Sequence, residues 1–120
     1  MWKILCVSGD SDVRGEIEKL EQHNAFYRVK CVSTVDGLLL AAITESFDIF
    51  ILDSSIRREP VSDLCRAVRL ADEEAVIISL SDNEADRHKA LDAGADMFLK
   101  LPNELKLLAS NIDDLLDSAK

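Results

Sequence analysis

The chain has 120 residues, of which 48% are apolar, and it carries a net charge of −9 at neutral pH. This length suffices for one domain with its own hydrophobic core, and the apolar content excludes a disordered chain. The negative charge argues against nucleic acid or an anionic membrane surface as a direct partner. No apolar run approaches the length of a membrane span, and no signal peptide is recognisable. We expect one cytoplasmic domain over residues 1–120.

The first third of the chain predicts two strands, each followed by a helix. Trp2 to Val7 is an apolar run of strand length, and apolar residues then recur at helical spacing behind a predicted N-cap at Ser11 or Asp12. Tyr27 to Val32 is rich in β-branched and aromatic residues and predicts the second strand. Thr34 is the predicted cap of the helix that follows.

The middle of the chain contains its most apolar strand. Phe47 to Leu52 is followed directly by Asp53, and the absence of alternation indicates burial on both faces, as in the centre of a parallel sheet. Residues 54–60 form a predicted loop, and a third helix begins near Val61. Because open α/β sheets bind ligands at the carboxyl ends of their strands, Asp53 is a candidate site residue.

The last third continues the alternation. Ala75 to Leu80 is the fourth predicted strand, and Glu84 to Ala93 is a more polar helix that stops at Gly94 in the C-cap position. Met97 to Leu101 is the fifth strand, and Pro102 and Asn103 open the last helix. Five strands alternating with five helices predict an α/β domain with a parallel sheet covered on both faces. The pattern leaves the strand order open.

Three cysteines lie among core-type residues, without metal-ligand spacing. They are Cys6, Cys31 and Cys65. We expect them to be reduced, buried thiols and not a disulfide or a metal site.

Several motifs, in order and at matching spacing, resemble the receiver domain of two-component response regulators over essentially the whole chain. The motifs are Ile4 to Val7 with Asp10 to Arg14, Asp36-Gly37, Phe47 to Asp53, Val76 to Ser79, Asp86-Arg87, and Ala90 to Leu99 followed by Pro102. The resemblance implies a flavodoxin-like, doubly wound (βα)5 domain with five parallel strands in the order 2-1-3-4-5.

The resemblance also implies a site for phosphoryl transfer from a histidine kinase. Asp53 matches the phosphoacceptor aspartate, Ser79 matches the hydroxyl that contacts the phosphoryl group, and Phe98 matches the aromatic residue that follows this switch. In such domains two acidic residues after the first strand hold Mg²⁺, and a lysine before the proline after the fifth strand pairs with the phosphoryl charge.

The chain departs from this pattern where the charges are needed. Ser8 and Gly9 occupy the acidic-pair positions, and Leu101 occupies the lysine position. The residue after the switch hydroxyl is the bulky Leu80. Without Mg²⁺ and the lysine, a phosphoryl group loses charge-assisted bonds worth about 1.5–3 kcal/mol each.

Mg²⁺ is a weak expectation for this chain. The weak candidate ligands are Asp10, Asp53 and the backbone carbonyl of Ser55, a poor set for an ion that prefers octahedral geometry. Arg57 and Arg58 follow Asp53 closely, and one hypothesis is that one guanidinium pairs with Asp53. The interpretation that we favour is that both arginines are solvated or contact a partner.

We therefore expect a pseudo-receiver, a protein interaction module that is not an enzyme. The alternative is a slow but working phosphoacceptor that uses Asp53, Ser79 and Asp10. A third reading is a small-ligand binder with an apolar lining from Leu80 and Leu101. Expected partners are a histidine kinase, a downstream signalling protein or a second copy of the chain, through the face made by the fourth helix, fifth strand and last helix.

Overall fold

In a computed structural model, residues 1–54 and 60–118 form a parallel sheet of five strands with helices on both faces. The strand order is β2-β1-β3-β4-β5, so the fold class implied by the receiver resemblance is confirmed. The elements are β1 Trp2–Val7, α1 Ser11–Glu18, α2 Leu20–His23, β2 Tyr27–Val32, α3 Val35–Thr44, β3 Ile49–Asp53, α4 Val61–Ala71, β4 Val76–Ser81, α5 Asp86–Asp92, β5 Met97–Lys100, a 3-10 turn Leu105–Leu107 and α6 Leu108–Ser118.

Two hydrophobic clusters lie on opposite faces of the sheet. One contains the inward residues of α3, α4 and α5, and the other contains those of α1, α2 and α6. All five residues of β3 are buried, as its unbroken apolar pattern predicts. Side chains alternate along β3, so Phe50 and Leu52 belong to the first cluster and Ile49 and Ile51 to the second. Asp53 therefore faces the α1–α6 side.

Several boundaries differ from those predicted. Lys19 divides the first predicted helix into α1 and the single turn α2. β5 ends at Lys100, which leaves Leu101 just beyond the strand, and α6 begins only at Leu108, after the 3-10 turn. Pro102 and Asn103 therefore lie in the turn that connects β5 to this last helical segment.

The caps show how local chemistry sets the helix ends. The N-cap of α1 is Asp10, and not Ser11 or Asp12: its backbone is extended and its carboxylate accepts the amides of Asp12 and Val13. Thr34 caps α3 through the amide of Gly37, as predicted. Gly94 ends the α5 segment with φ +110°, a conformation that favours glycine.

Tyr27 and His23 both contact Asp113 and so connect β2 and α2 to the last helix. The Tyr27 hydroxyl donates to Asp113 at 2.5 Å, and His23 Nε2 lies 2.8 Å from the other carboxylate oxygen. Burial alone would raise the pKa of Asp113, but the hydrogen bonds from Tyr27 and His23 outweigh it and lower that pKa. The ionised form of Asp113 therefore contributes to the stability of the folded state.

We expect Asp113→Asn to reduce the acid sensitivity of folding. Ionised Asp113 stabilises the fold at pH values above about 3.9, the pKa of an aspartate in the unfolded chain. This contribution is lost as the pH falls through the lower pKa that Asp113 has in the folded state. Because Asp113 is partly exposed, the effect is about 0.2–1 kcal/mol. Urea unfolding at pH 6 and at pH 2.5 measures it, with the exposed neighbour Asp114→Asn as the control. An equal acid effect in both variants would contradict the assignment.

Candidate functional site

The carboxyl ends of β1 and β3 bring Ser8 and Asp53 into contact. Both residues are fully buried, and the Ser8 hydroxyl donates a hydrogen bond of 2.6 Å to Asp53 Oδ2. A bond this short from a hydroxyl to a carboxylate is charge-assisted, which makes it about twice as strong as a neutral one. A hydroxyl at one of the acidic-pair positions thus holds the candidate phosphoacceptor.

The backbone around Ser8 fixes the direction of this hydroxyl. The Ser8 amide donates to the Val32 carbonyl at 3.1 Å, and its carbonyl accepts Arg14 Nη1 at 2.7 Å. The Asp10 amide donates to Ser8 Oγ at 3.1 Å. The oxygen accepts from one side and donates its proton to Asp53 on the other, so the side chain is held from both sides.

Asp10 is occupied by its role as a helix cap. Its carboxylate accepts the Asp12 amide at 2.8 Å and the Val13 amide at 3.4 Å. A ligand of Mg²⁺ at this position would have to share or give up these bonds. If Asp10 turned toward a metal, as expected from the sequence, the N-terminus of α1 would therefore lose its cap.

Ser79 lies on the opposite face of the sheet from Asp53. The strand register pairs Asp53 with Leu80 and pairs Leu52 with Ser79. Phe98, the register partner of Ser79 on β5, belongs to the α3–α5 cluster. Within the described residues the buried Ser79 hydroxyl has no hydrogen-bond partner. The structure therefore brings Ser79 to Phe98, and the neighbour of Asp53 on β4 is the fully buried Leu80.

Leu101 makes the lysine position apolar. Its side chain is 8% exposed and packs in the α1–α6 cluster together with Leu99. Lys100 lies between them and takes the other face of the strand, as side-chain alternation predicts. The Lys100 amide donates to Glu104 at 2.7 Å.

A crevice of about 610 Å³ opens beside Asp53 and carries mostly negative charge. Its described lining is Asp10, Asp12, Val13, Glu16, Asp53, Ser54, Asp82, Leu101, Pro102, Leu105 and Lys106. Five carboxylates face one ammonium group, and Leu80 is not part of this lining. In residues 1–54 and 60–118, no group of three or more Asp, Glu, His or Cys side chains is arranged to hold a metal ion. Of the candidate ligands that the structure describes, Asp10 is engaged by the amides at the start of α1 and Asp53 by the Ser8 hydroxyl, which is a poor fit to an ion that needs near-octahedral oxygen ligands.

Phe98 is turned inward and covered by a charged side chain. Phe98 is 4% exposed, and the Arg87 guanidinium lies 4.8 Å from its ring centroid. Arg87 also pairs with Glu84 at 2.6 Å and with Glu104 at 3.1 Å. The hydrogen bond from Arg87 lowers the pKa of Glu84, and the Lys100 amide followed by Arg87 lowers that of Glu104. These contacts join α5, β5 and the turn before α6.

Two contacts at the candidate site and the neighbouring face were not predicted from the sequence. Ser8 was interpreted only as a missing acid, although its place directly after β1, opposite the end of β3, is the signal that puts it beside Asp53. The Arg87–Phe98 contact spans 11 residues and gives no periodic signal. Ser55, Arg57 and Arg58 lie outside the described residues, so their predicted roles stay predictions.

Known proteins show the same fold and a sequence likeness along the whole chain, although no family profile matches it. The chain is 31% identical over 121 residues to the transcriptional regulatory protein GltR of Pseudomonas aeruginosa, covering 98% of this chain and 50% of GltR. It is 29% identical over 120 residues to the response regulator MprA of Mycobacterium leprae, covering 98% and 52% respectively. The chain spans about half the length of these relatives.

A solved structure of the BeF3-activated receiver domain of DrrB, a Thermotoga maritima protein, superposes with a TM-score of 0.85. The sequence identity is 24%, and the match covers 98% of each chain. In sequence the chain is similar to response regulators, and in fold it is similar to solved receiver domains. The resemblance that its motifs carry is confirmed. In addition, no helix in the described part of the chain is long and apolar enough to span a membrane.

Proposed function

We propose that this chain is the receiver domain of a cytoplasmic two-component response regulator with a degenerate phosphorylation site, and that it acts mainly as a protein interaction module. The observation that carries the proposal is the 2.6 Å hydrogen bond from the buried Ser8 hydroxyl to Asp53. A neutral hydroxyl stabilises the carboxylate at a position where such domains use an acid to bind Mg²⁺. The acceptor is kept in place without the metal.

The surroundings of Asp53 favour the same conclusion. Phosphoryl transfer to a carboxylate requires cations that neutralise the attacking oxygen and the three phosphoryl oxygens. The described residues offer the apolar Leu101 in place of a lysine, Asp10 engaged as a cap, and Leu80 beside the acceptor. A phosphoryl dianion here would meet mostly negative charge across the crevice, where Asp12, Glu16 and Asp82 also lie.

The proposed interaction surface is the face made by α5, β5 and α6. Phe98 is buried under Arg87, and the pairs of Arg87 with Glu84 and Glu104 hold the α5 side of this face to the segment before α6. Such a network gives the face one defined shape without a phosphoryl group on Asp53. We propose a histidine kinase, a downstream signalling protein or a second copy of the chain as its partner.

Covalent labelling tests the proposal. We expect no phosphoryl adduct in the intact mass after incubation with acetyl phosphate and Mg²⁺, under conditions in which an ordinary receiver domain is labelled. Asp53→Ala provides the background. An adduct on the wild type that vanishes in Asp53→Ala would overturn the proposal and establish a slow phosphoacceptor.

A further inference from the structure

Two thiols face each other across the β1–β2 pair. Cys6 and Cys31 are direct partners in the parallel register, and both belong to the α1–α6 side of the sheet. Cys6 is fully buried, whereas Cys31 is half-buried on β2, an edge strand of the sheet. The third cysteine, Cys65, lies in the cluster on the other face. The fold thus creates one pair of thiols and leaves one apart.

We propose that Cys6 and Cys31 form a reversible modification site, at which a hydroperoxide converts the two free thiols into an intrachain disulfide. The inference is independent of whether Asp53 accepts a phosphoryl group. All three cysteines are free thiols in this structure. The site would make the domain sensitive to oxidants of the peroxide class.

The spacing of the strands permits this bond. Neighbouring strands lie about 4.7–4.9 Å apart, and disulfides join residues whose Cα atoms are about 4.4–6.8 Å apart. Cys6 and Cys31 also occupy the same position in the register and the same face of the sheet, so their side chains leave the two strands side by side. Direct partners in a parallel pair are not an ideal frame for a disulfide, so we expect some strain, which makes the bond easier to reduce.

Exposure makes Cys31 the thiol that reacts first. Its Sγ lies 3.9 Å from the Arg14 carbonyl oxygen, and the charged groups that act on it are Glu18 and Arg14. The hydrogen bond from Cys6 lowers the pKa of Cys31, although burial and Glu18 oppose this change. The same hydrogen bond, followed by burial, raises the pKa of Cys6. The two thiols therefore take different roles.

The reaction proceeds in two balanced steps. The Cys31 thiolate attacks the terminal oxygen of the hydroperoxide, and the O–O bond breaks; after protonation the products are a sulfenic acid on Cys31 and an alcohol or water. Cys6 sulfur then attacks the Cys31 sulfur, the S–O bond breaks, and hydroxide leaves with the Cys6 proton as water. Each peroxide accepts two electrons, and the protein loses two hydrogen atoms.

The bond would form next to the Asp53 site. Ser8 directly follows β1 and lies two residues after Cys6, so side-chain alternation puts the two residues on the same face of the sheet. A disulfide would link the edge strand β2 to β1 two residues before Ser8, the residue that donates a hydrogen bond to Asp53.

Thiol counting on the full chain tests this site. The protein is treated with hydrogen peroxide, denatured, alkylated with iodoacetamide and weighed, with and without dithiothreitol. We expect the wild type to lose two of its three alkylatable thiols without gaining oxygen, and dithiothreitol to restore all three. The matched control Cys65→Ala should lose both remaining thiols, whereas Cys31→Ala should keep both of its own.

Peptide mapping of the oxidised wild type makes the test independent of how the variants fold. A linked peptide pair containing Cys6 and Cys31 supports the site. A disulfide that includes Cys65, a disulfide between two chains, or oxygen added to Cys31 while Cys6 remains alkylatable would each overturn it. Three alkylatable thiols after peroxide treatment would overturn it as well.

Discussion

A variant with Ser8→Asp, Gly9→Asp and Leu101→Lys should accept a phosphoryl group on Asp53, although the wild type should not. The three substitutions return the two acids and the lysine that the receiver pattern requires. One restored charge-assisted bond is worth about 1.5–3 kcal/mol, which corresponds to about tenfold or more in an equilibrium. We therefore expect labelling by acetyl phosphate to rise at least about tenfold, with an absolute requirement for Mg²⁺.

Two controls separate this effect from a general change of charge. The same triple variant with Asp53→Ala should lose the adduct. Gly15→Asp, Leu70→Asp and Leu107→Lys make the same net change of charge at exposed positions outside the crevice lining and should leave labelling at the wild-type level.

Because Leu101 is nearly buried, circular dichroism must first show that the lysine variant folds. A folded triple variant that remains unlabelled would show that these three positions are not the cause of the missing activity. The explanation would then have to lie elsewhere around Asp53, for example in the packing of Leu80 beside it.

The elements of the fold were predictable because each had a strong local signal. The unbroken apolar run of β3, the Thr34 cap and the stop at Gly94 all depend on neighbouring residues, and the structure agrees with them. The N-cap of α1 was missed because three adjacent polar residues can each cap a helix. Only the extended backbone at Asp10 chooses among them.

The candidate site was predictable only in part, because it depends on register. Asp53 was identified from its position after a central strand, and Leu101 was assigned to the lysine position from the receiver resemblance. The receiver resemblance assigned Ser79 to the hydroxyl that contacts the phosphoryl group, and this role stays a prediction; the β3–β4 register places Leu80 opposite Asp53. A shift of one residue moves a side chain to the other face of a sheet, and no local pattern records that shift.

Ser8→Ala should destabilise the domain more than a serine-to-alanine change at a comparable but wetter contact. The substitution leaves Asp53 buried and short of one charge-assisted hydrogen bond, which costs about 1.5–3 kcal/mol. Ser81→Ala is the matched control, because the Ser81 hydroxyl donates to Asp86 at the same distance of 2.6 Å. Asp86 is only half-buried, so water replaces the lost donor and the cost should be smaller. Urea unfolding at pH 7 measures both.

A double-mutant cycle then shows whether the cost of Ser8→Ala belongs to the bond with Asp53. In the Asp53→Asn background the acceptor is neutral, and the same substitution should cost about 0.5–1.5 kcal/mol, the range of an ordinary hydrogen bond. The difference between the two backgrounds is the coupling energy of the charged pair. If Ser8→Ala costs the same in both, the hydroxyl is not what holds the carboxylate. Ser8 would then not have taken over the place of the metal-binding acid, and labelling of Asp53 alone would decide between the two functions.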